Sequence, residues 1–160
     1  MKYIFPYTVL VGLIICCLGC KRTTTTTIDT EPLDPISEVP EIELLEVAPL
    51  SVTQFVDSIS FKIKYLDGDG DLGEPDPDNK TIFLVDNRAP NELIFDFHLS
   101  PRAPLDSEIV IQGELDIVLN NTILIDDDLE NEMTTFSIYL LDRAGNQSNI
   151  LESPEVLISR

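Results

Sequence analysis

The sequence predicts an all-β fold, an antiparallel sandwich of about seven strands, on three observations. From residue 41 onward apolar and polar residues alternate with period two, the mark of strands with one buried face. The alternating stretches are short and separated by clusters of Pro, Gly, Asp and Asn. No stretch carries the 3.6-residue apolar period over three helical turns. An eight-stranded barrel is the alternative, because the segment 107–119 could divide at Gly113.

The first 40 residues read as delivery and tether. Residues 1–19 have Lys2 near the start, an apolar run from Tyr7 to Leu18, and a small residue before a cysteine. That run is short for a membrane span and has the layout of a secretory leader. Cys17-Leu18-Gly19-Cys20 resembles the lipobox of bacterial lipoproteins, with Cys17 where an aliphatic residue is more usual. The resemblance implies cleavage before Cys20 and lipidation of that residue, hence attachment to a membrane, the outer membrane of a Gram-negative envelope, without a spanning helix. Residues 20–40 combine a threonine run with Pro32, Pro35, Pro40 and acids, and keep no hydrophobic period, so they read as a disordered or extended tether. In some Gram-negative groups a short acidic run behind the lipidated cysteine resembles a surface-export signal. Lys21 and Arg22 occupy that place here, which favours the periplasmic face over the cell surface.

Residues 41–160 form the folded domain, about 120 residues and one modest core. Glu41 to Leu44 alternates acid with aliphatic residues and is stopped at Pro49. Ile59, Phe61, Ile63 and Tyr65 alternate with Ser60, Lys62 and Lys64, the clearest strand of the chain. Thr81–Val85, Leu93–Leu99, Ile109–Leu119 with a bulge expected at Gly113, Phe136–Leu140 and Glu155–Ser159 complete the set. All three cysteines lie in the first 20 residues, so the domain has no disulfide and no thiolate metal site. The 29 acidic against 10 basic residues of the whole chain give a net charge of -19, which repels nucleic acid and favours cations or basic partners.

Between the second and third strands lies Asp67-Gly68-Asp69-Gly70-Asp71-Leu72-Gly73. Carboxylates at alternate positions of a glycine-rich turn suit a hard cation that takes six to eight oxygens, Ca²⁺ before Mg²⁺. Numbering Asp67 as position 1 of a twelve-residue calcium loop places Asp69 at 3, Asp71 at 5 and Asp78 at 12. Leu72 stands where an EF-hand requires glycine, and the flanks read as strands, so the ligand type carries over and the helix-loop-helix does not. An exposed polar turn is the plainer reading, yet two carboxylates near 4 Å repel by about 1 kcal/mol in water and about 4 kcal/mol when partly buried. Asn or Ser would serve a turn without that repulsion. An extracytoplasmic address predicts a weak site, of order 10⁻⁴ to 10⁻³ M.

Tyr65 to Gly73 also looks like a loop of small Gram-negative lipoproteins that carry one immunoglobulin-like or cadherin-like domain. Leu141-Asp142-Arg143-Ala144-Gly145-Asn146-Gln147-Ser148 resembles the strand-to-turn ending of bacterial immunoglobulin-like repeats. The resemblance implies an immunoglobulin-like sandwich and a place in the envelope, and it names no activity. With seven strands alternating in direction, the second and sixth run the same way, so the acidic loop and the Asp142 turn are expected at one end, making Asp142 a fifth candidate ligand. The Asp126–Asp128 run is expected at the other end.

No residue set predicts catalysis: His98 sits on an outward face, zinc lacks ligands, and no Ser or Thr has an evident base. The expectation is a non-catalytic domain, calcium-stabilised and presenting a surface to a protein or glycan. A glycan-binding accessory of an uptake system and a hydrolase with paired carboxylates are the alternatives. With no Trp and few Tyr after residue 40, aromatic surface for a sugar is scarce.

Overall fold

A computed structural model describes residues 35–88 and 93–160. The leader, Cys20 and the tether up to residue 34 lie outside the described residues. Among those described there is no helix long and apolar enough to cross a membrane.

Ten strands follow in order: β1 (Glu41–Ala48), β2 (Ser51–Thr53), β3 (Ile59–Asp67), β4 (Ile82–Asp86), β5 (Leu93–Phe97), β6 (Ile111–Leu119), β7 (Asn131–Thr134), β8 (Phe136–Leu140), β9 (Leu151–Glu152) and β10 (Val156–Ser159). They form three sheets, ordered β1-β3-β6, β2-β10-β7 and β5-β4-β8-β9. All pairings are antiparallel except β2 with β10. The second and third sheets run into one another: only Thr135 separates β7 from β8, and at that junction Phe136 N donates to Ser153 Oγ and Ser153 N to Phe136 O, both at 2.8 Å. The result is sandwich-like, with β1-β3-β6 as one layer.

Alternation decides what is inside. Ile59, Phe61 and Ile63 of β3, Leu115, Ile117 and Leu119 of β6, and Phe136, Ile138 and Leu140 of β8 are all buried in one core. Phe61 and Phe136 meet edge to face across the layers, centroids 5.1 Å apart. On the outer face of the first layer the two lysines of β3 stand opposite acids on both neighbours, Lys64 between Glu43 and Glu114 and Lys62 between Glu46 and Asp116. Opposite charges in such cross-strand positions favour this register.

Two expectations are corrected. Gly113 makes no bulge and no break: β3 and β6 pair without interruption from Ile59↔Leu119 to Asp67↔Ile111. The glycine makes room for its partner across the strand, since a Cβ there would meet Tyr65 Oη at 2.7 Å. The bulge lies in β1, between Leu44 and Glu46. Three strands escape the period-two reading. β2 and β9 are too short to show a period, and β7, Asn-Glu-Met-Thr, offers no apolar alternation.

At the end of the molecule where β4 finishes, a buried ionic cluster ties distant segments. Arg88 Nε donates to both oxygens of Asp86, at 3.0 and 3.1 Å, and Nη1 donates to Ile123 O at 2.9 Å and to Glu132. Thr134 Oγ1 also donates to Asp86. Burial alone would raise the Glu132 carboxyl, but the N–H groups of Ile125 and Asp126 together with Arg88 hold it below its ordinary value. The Asp86 and Glu132 carboxylates and the Arg88 side chain are each less than a tenth exposed, so removing one partner strands the others. Arg88→Ala is expected to cost about 3–5 kcal/mol, read as a drop in the urea midpoint with the m-value unchanged. A loss below 1 kcal/mol would show that the cluster is not holding this end together.

Candidate metal centre

Strand β3 carries its alternation to its last residue, so Asp67 points inward and is fully buried. The loop then turns back on itself. Gly70 and Gly73 adopt left-handed φ angles of 77° and 89°, where a side chain would be strained, and Leu72 between them drops into the core with no exposed surface. That descent brings Leu72 N to Asp67 Oδ2 at 3.2 Å. The residue that breaks the EF-hand pattern is thus the one that pins the loop.

Asp67, Asp69 and Asp71 each bring a carboxylate oxygen into one group whose members all lie within 4.8 Å of one another. Asp69 Oδ1 accepts from Asp71 N at 3.4 Å, and Asp71 Oδ2 from Ala144 N at 3.0 Å. Asp67 Oδ1 and Asp71 Oδ1 are buried and have no hydrogen-bond partner. Burial, and then the Asp69, Asp71 and Asp142 charges, push the Asp67 carboxyl up to about 6, against the opposing Leu72 N–H. Asp71 is also raised, by burial first and then by Asp142 and Asp69, against Ala144 N–H and Arg143. Each shift reports a negative charge held where it lacks compensation.

The Asp142 turn lies against this loop. Arg143 N donates to Asp71 O at 3.3 Å, and Arg143 Nη1 to Gly73 O at 2.9 Å. Asp142 itself, however, spends both oxygens on its own turn, Oδ1 accepting from Asn146 N at 2.7 Å and Oδ2 from Asn146 Nδ2 at 2.9 Å. It acts on the site through its charge. Asp78 is outside the three-carboxylate group and exposed, its N–H bonded to Asp76 Oδ1 at 3.0 Å in a separate turn. The Asp126–Asp128 run follows β6, whose last residue pairs with the first of β3, so it lies away from Asp67.

No family model, curated protein or solved structure matches the chain.

Three carboxylates with two free buried oxygens fit a hard divalent cation, which would take Asp67, Asp69 and Asp71 as ligands and draw its remaining oxygens from backbone carbonyls or water. His98 has no part in this: its Nδ1 lies 3.1 Å from Asn79 O and its Nε2 3.4 Å from Ser100 Oγ. Sequence reasoning missed how much the loop organises around itself. Its carbonyls accept from Arg102 N at Leu72 and from Ile109 N at Asp69, at 3.1 and 3.2 Å, so Ile109, expected to open the strand that starts at Ile111, bonds the loop instead.

The raised Asp67 value has a signed consequence for the metal-free protein. A carboxyl higher in the folded state than in the unfolded chain stabilises the fold below its unfolded value near 3.8, and that contribution is lost as pH rises through about 6. Asp67→Asn removes the titration while keeping an acceptor for Leu72 N–H. In chelator the variant should melt several degrees above wild type at pH 7.5, a gain of roughly 2 kcal/mol, with the gap closing near pH 4. Equal melting temperatures at both pH values would mean that Asp67 carries no uncompensated charge.

Proposed function

We propose that the chain is a lipid-anchored envelope protein whose immunoglobulin-like sandwich binds a divalent cation, calcium first, at Asp67, Asp69 and Asp71 and serves as a non-catalytic interaction domain. One observation carries the cation reading: Asp67 Oδ1 and Asp71 Oδ1, members of one carboxylate group, are buried and unpartnered. A buried carboxylate oxygen without a donor costs free energy that a cation restores. The lipobox supports the address, with attachment through Cys20 and the periplasmic face favoured. The strand order, with β1-β3-β6 in one layer and β5-β4-β8 in the other, supports the immunoglobulin-like reading.

At the acidic loop a protein partner is favoured over a glycan by the state of the two tyrosine rings; the exposed ring of Phe55 sits in the turn before β3, at the opposite end of that strand from Asp67. Sugar recognition needs a free ring face. Tyr65 is buried over Gly113, and Tyr139 gives one face to Phe83, the two rings stacked 5.0 Å apart at 11°. The net charge of -19 makes a basic surface the complementary partner.

Calcium at a hundredfold excess over its dissociation constant should stabilise the domain by about 2.7 kcal/mol, a rise of roughly 10 °C in melting temperature for a domain of this size. Asp69→Ala should abolish the rise and Asp127→Ala should preserve it. A melting curve unmoved between chelator and 10 mM calcium would refute the cation site.

A further inference from the structure

The chain entering the domain crosses the acidic loop at Gly68. Residues 35–40 lead into β1, and there the carbonyl oxygens of Ser37 and Ile36 come within 2.3 and 2.7 Å of where a Cβ on Gly68 would stand. Only a glycine admits this approach, and that glycine sits between Asp67 and Asp69. A carbonyl oxygen is the negative end of a dipole. Laid beside a loop of three carboxylates, two of them are repelled; laid beside the same loop carrying a divalent cation, they are attracted, and backbone carbonyls are among the ligands that calcium accepts.

Little else holds the segment down. Pro40 is buried, but Pro35 to Val39 are exposed. The side-chain hydrogen bond within the segment is internal, Val39 N donating to Ser37 Oγ at 3.0 Å. Among the described residues no hydrogen bond ties 35–39 to the acidic loop. A cleft of about 250 Å³ remains between the segment and the domain, bounded by Pro35, Ile36, Ser37, Val39, Glu41 and Leu66. Docking this loosely packed follows the electrostatics of the surface beneath it.

We infer that a divalent cation bound by Asp67, Asp69 and Asp71 controls the docking of residues 35–40 on Gly68, so that the site sets the length of free chain ahead of the domain. The inference rests on the cation reading above. Undocking six residues lengthens the free chain by up to about 20 Å, which changes how far from an N-terminal attachment the domain can work. Linkage makes the coupling reciprocal: whatever factor the cation adds to docking, docking adds to cation affinity.

Hydrogen exchange of the full chain, followed by mass spectrometry in 10 mM calcium and in chelator, tests this. Peptides covering 35–40 should exchange at least fivefold more slowly in calcium, while a peptide covering the exposed Asp126–Leu129 turn, which lies away from Asp67, changes less. Gly68→Ala keeps the three aspartates and blocks the docking, so its 35–40 peptides should exchange fast in both conditions and its calcium dissociation constant should rise by about the factor of protection lost. Asp69→Ala is a second variant, expected to exchange fast at 35–40 whether or not calcium is present. If calcium raises the melting temperature but leaves exchange at 35–40 unchanged, the coupling is overturned and the cation site stands. If Gly68→Ala folds and binds calcium as wild type does, the coupling is likewise overturned. If neither melting temperature nor exchange responds to calcium, the cation reading itself has failed and the inference with it.

Discussion

The burial of Leu72 is the constraint on which the acidic loop depends. By entering the core five residues after Asp67, it fixes the return path of the chain and delivers its own N–H to the Asp67 carboxylate. The same return crowds three carboxylates together and shuts Asp67 Oδ1 and Asp71 Oδ1 away from solvent. Packing and electrostatics therefore oppose each other here: the apolar side chain gains from burial what the neighbouring charges lose. The loop tolerates this because its backbone is a hub, bonded through its carbonyls to Ile109, Arg102 and Arg143.

Much of the fold was legible because burial on one face imposes period two. β3, β6 and β8 expose it plainly, and Ile59, Phe61, Ile63 and Tyr65, the apolar set read along β3, are all in the core. The missed strands had no such mark. β7 is recruited through its pairing with β10, and its Glu132 looks like a surface acid while serving as acceptor for Arg88, Ile125 N and Asp126 N. Arg88 and Glu132 are 44 positions apart, and no local pattern announces a pair formed at that separation. Gly113 was misread for a related reason. A glycine inside a strand signals either a bulge or a close approach, and the neighbour that decides, Tyr65, lies on another strand.

The site divides in the same way. The alternate spacing of Asp67, Asp69 and Asp71 is local, so their convergence could be read from the chain. Asp78 entered by counting along a twelve-residue loop, but after Gly73 the backbone departs to bond Leu99, Glu74 N donating to its carbonyl at 2.8 Å, and the count no longer describes the path. Asp142 was placed by strand parity, and its turn does lie against the loop. What parity could not supply was the use of its oxygens, both of which Asn146 takes to close the turn. The seating of Ile36 and Ser37 on Gly68 had no sequence signal, since it involves only backbone atoms.

Two inward aspartates end two core strands, and the protein treats them differently. Asp86, at the end of β4, receives a guanidinium from Arg88 and a hydroxyl from Thr134, so the chain supplies the countercharge itself. Asp67, at the end of β3, receives one backbone N–H, with two further carboxylates added beside it. A cation was within reach of the sequence: Arg143 lies against the same loop, yet its Nη1 donates to Gly73 O. A chain able to neutralise a buried aspartate internally at one site leaves another with a free oxygen among like charges. That contrast is the arrangement expected if the missing positive charge comes from solution, in which case occupancy could vary at the acidic loop and not at the Arg88 cluster.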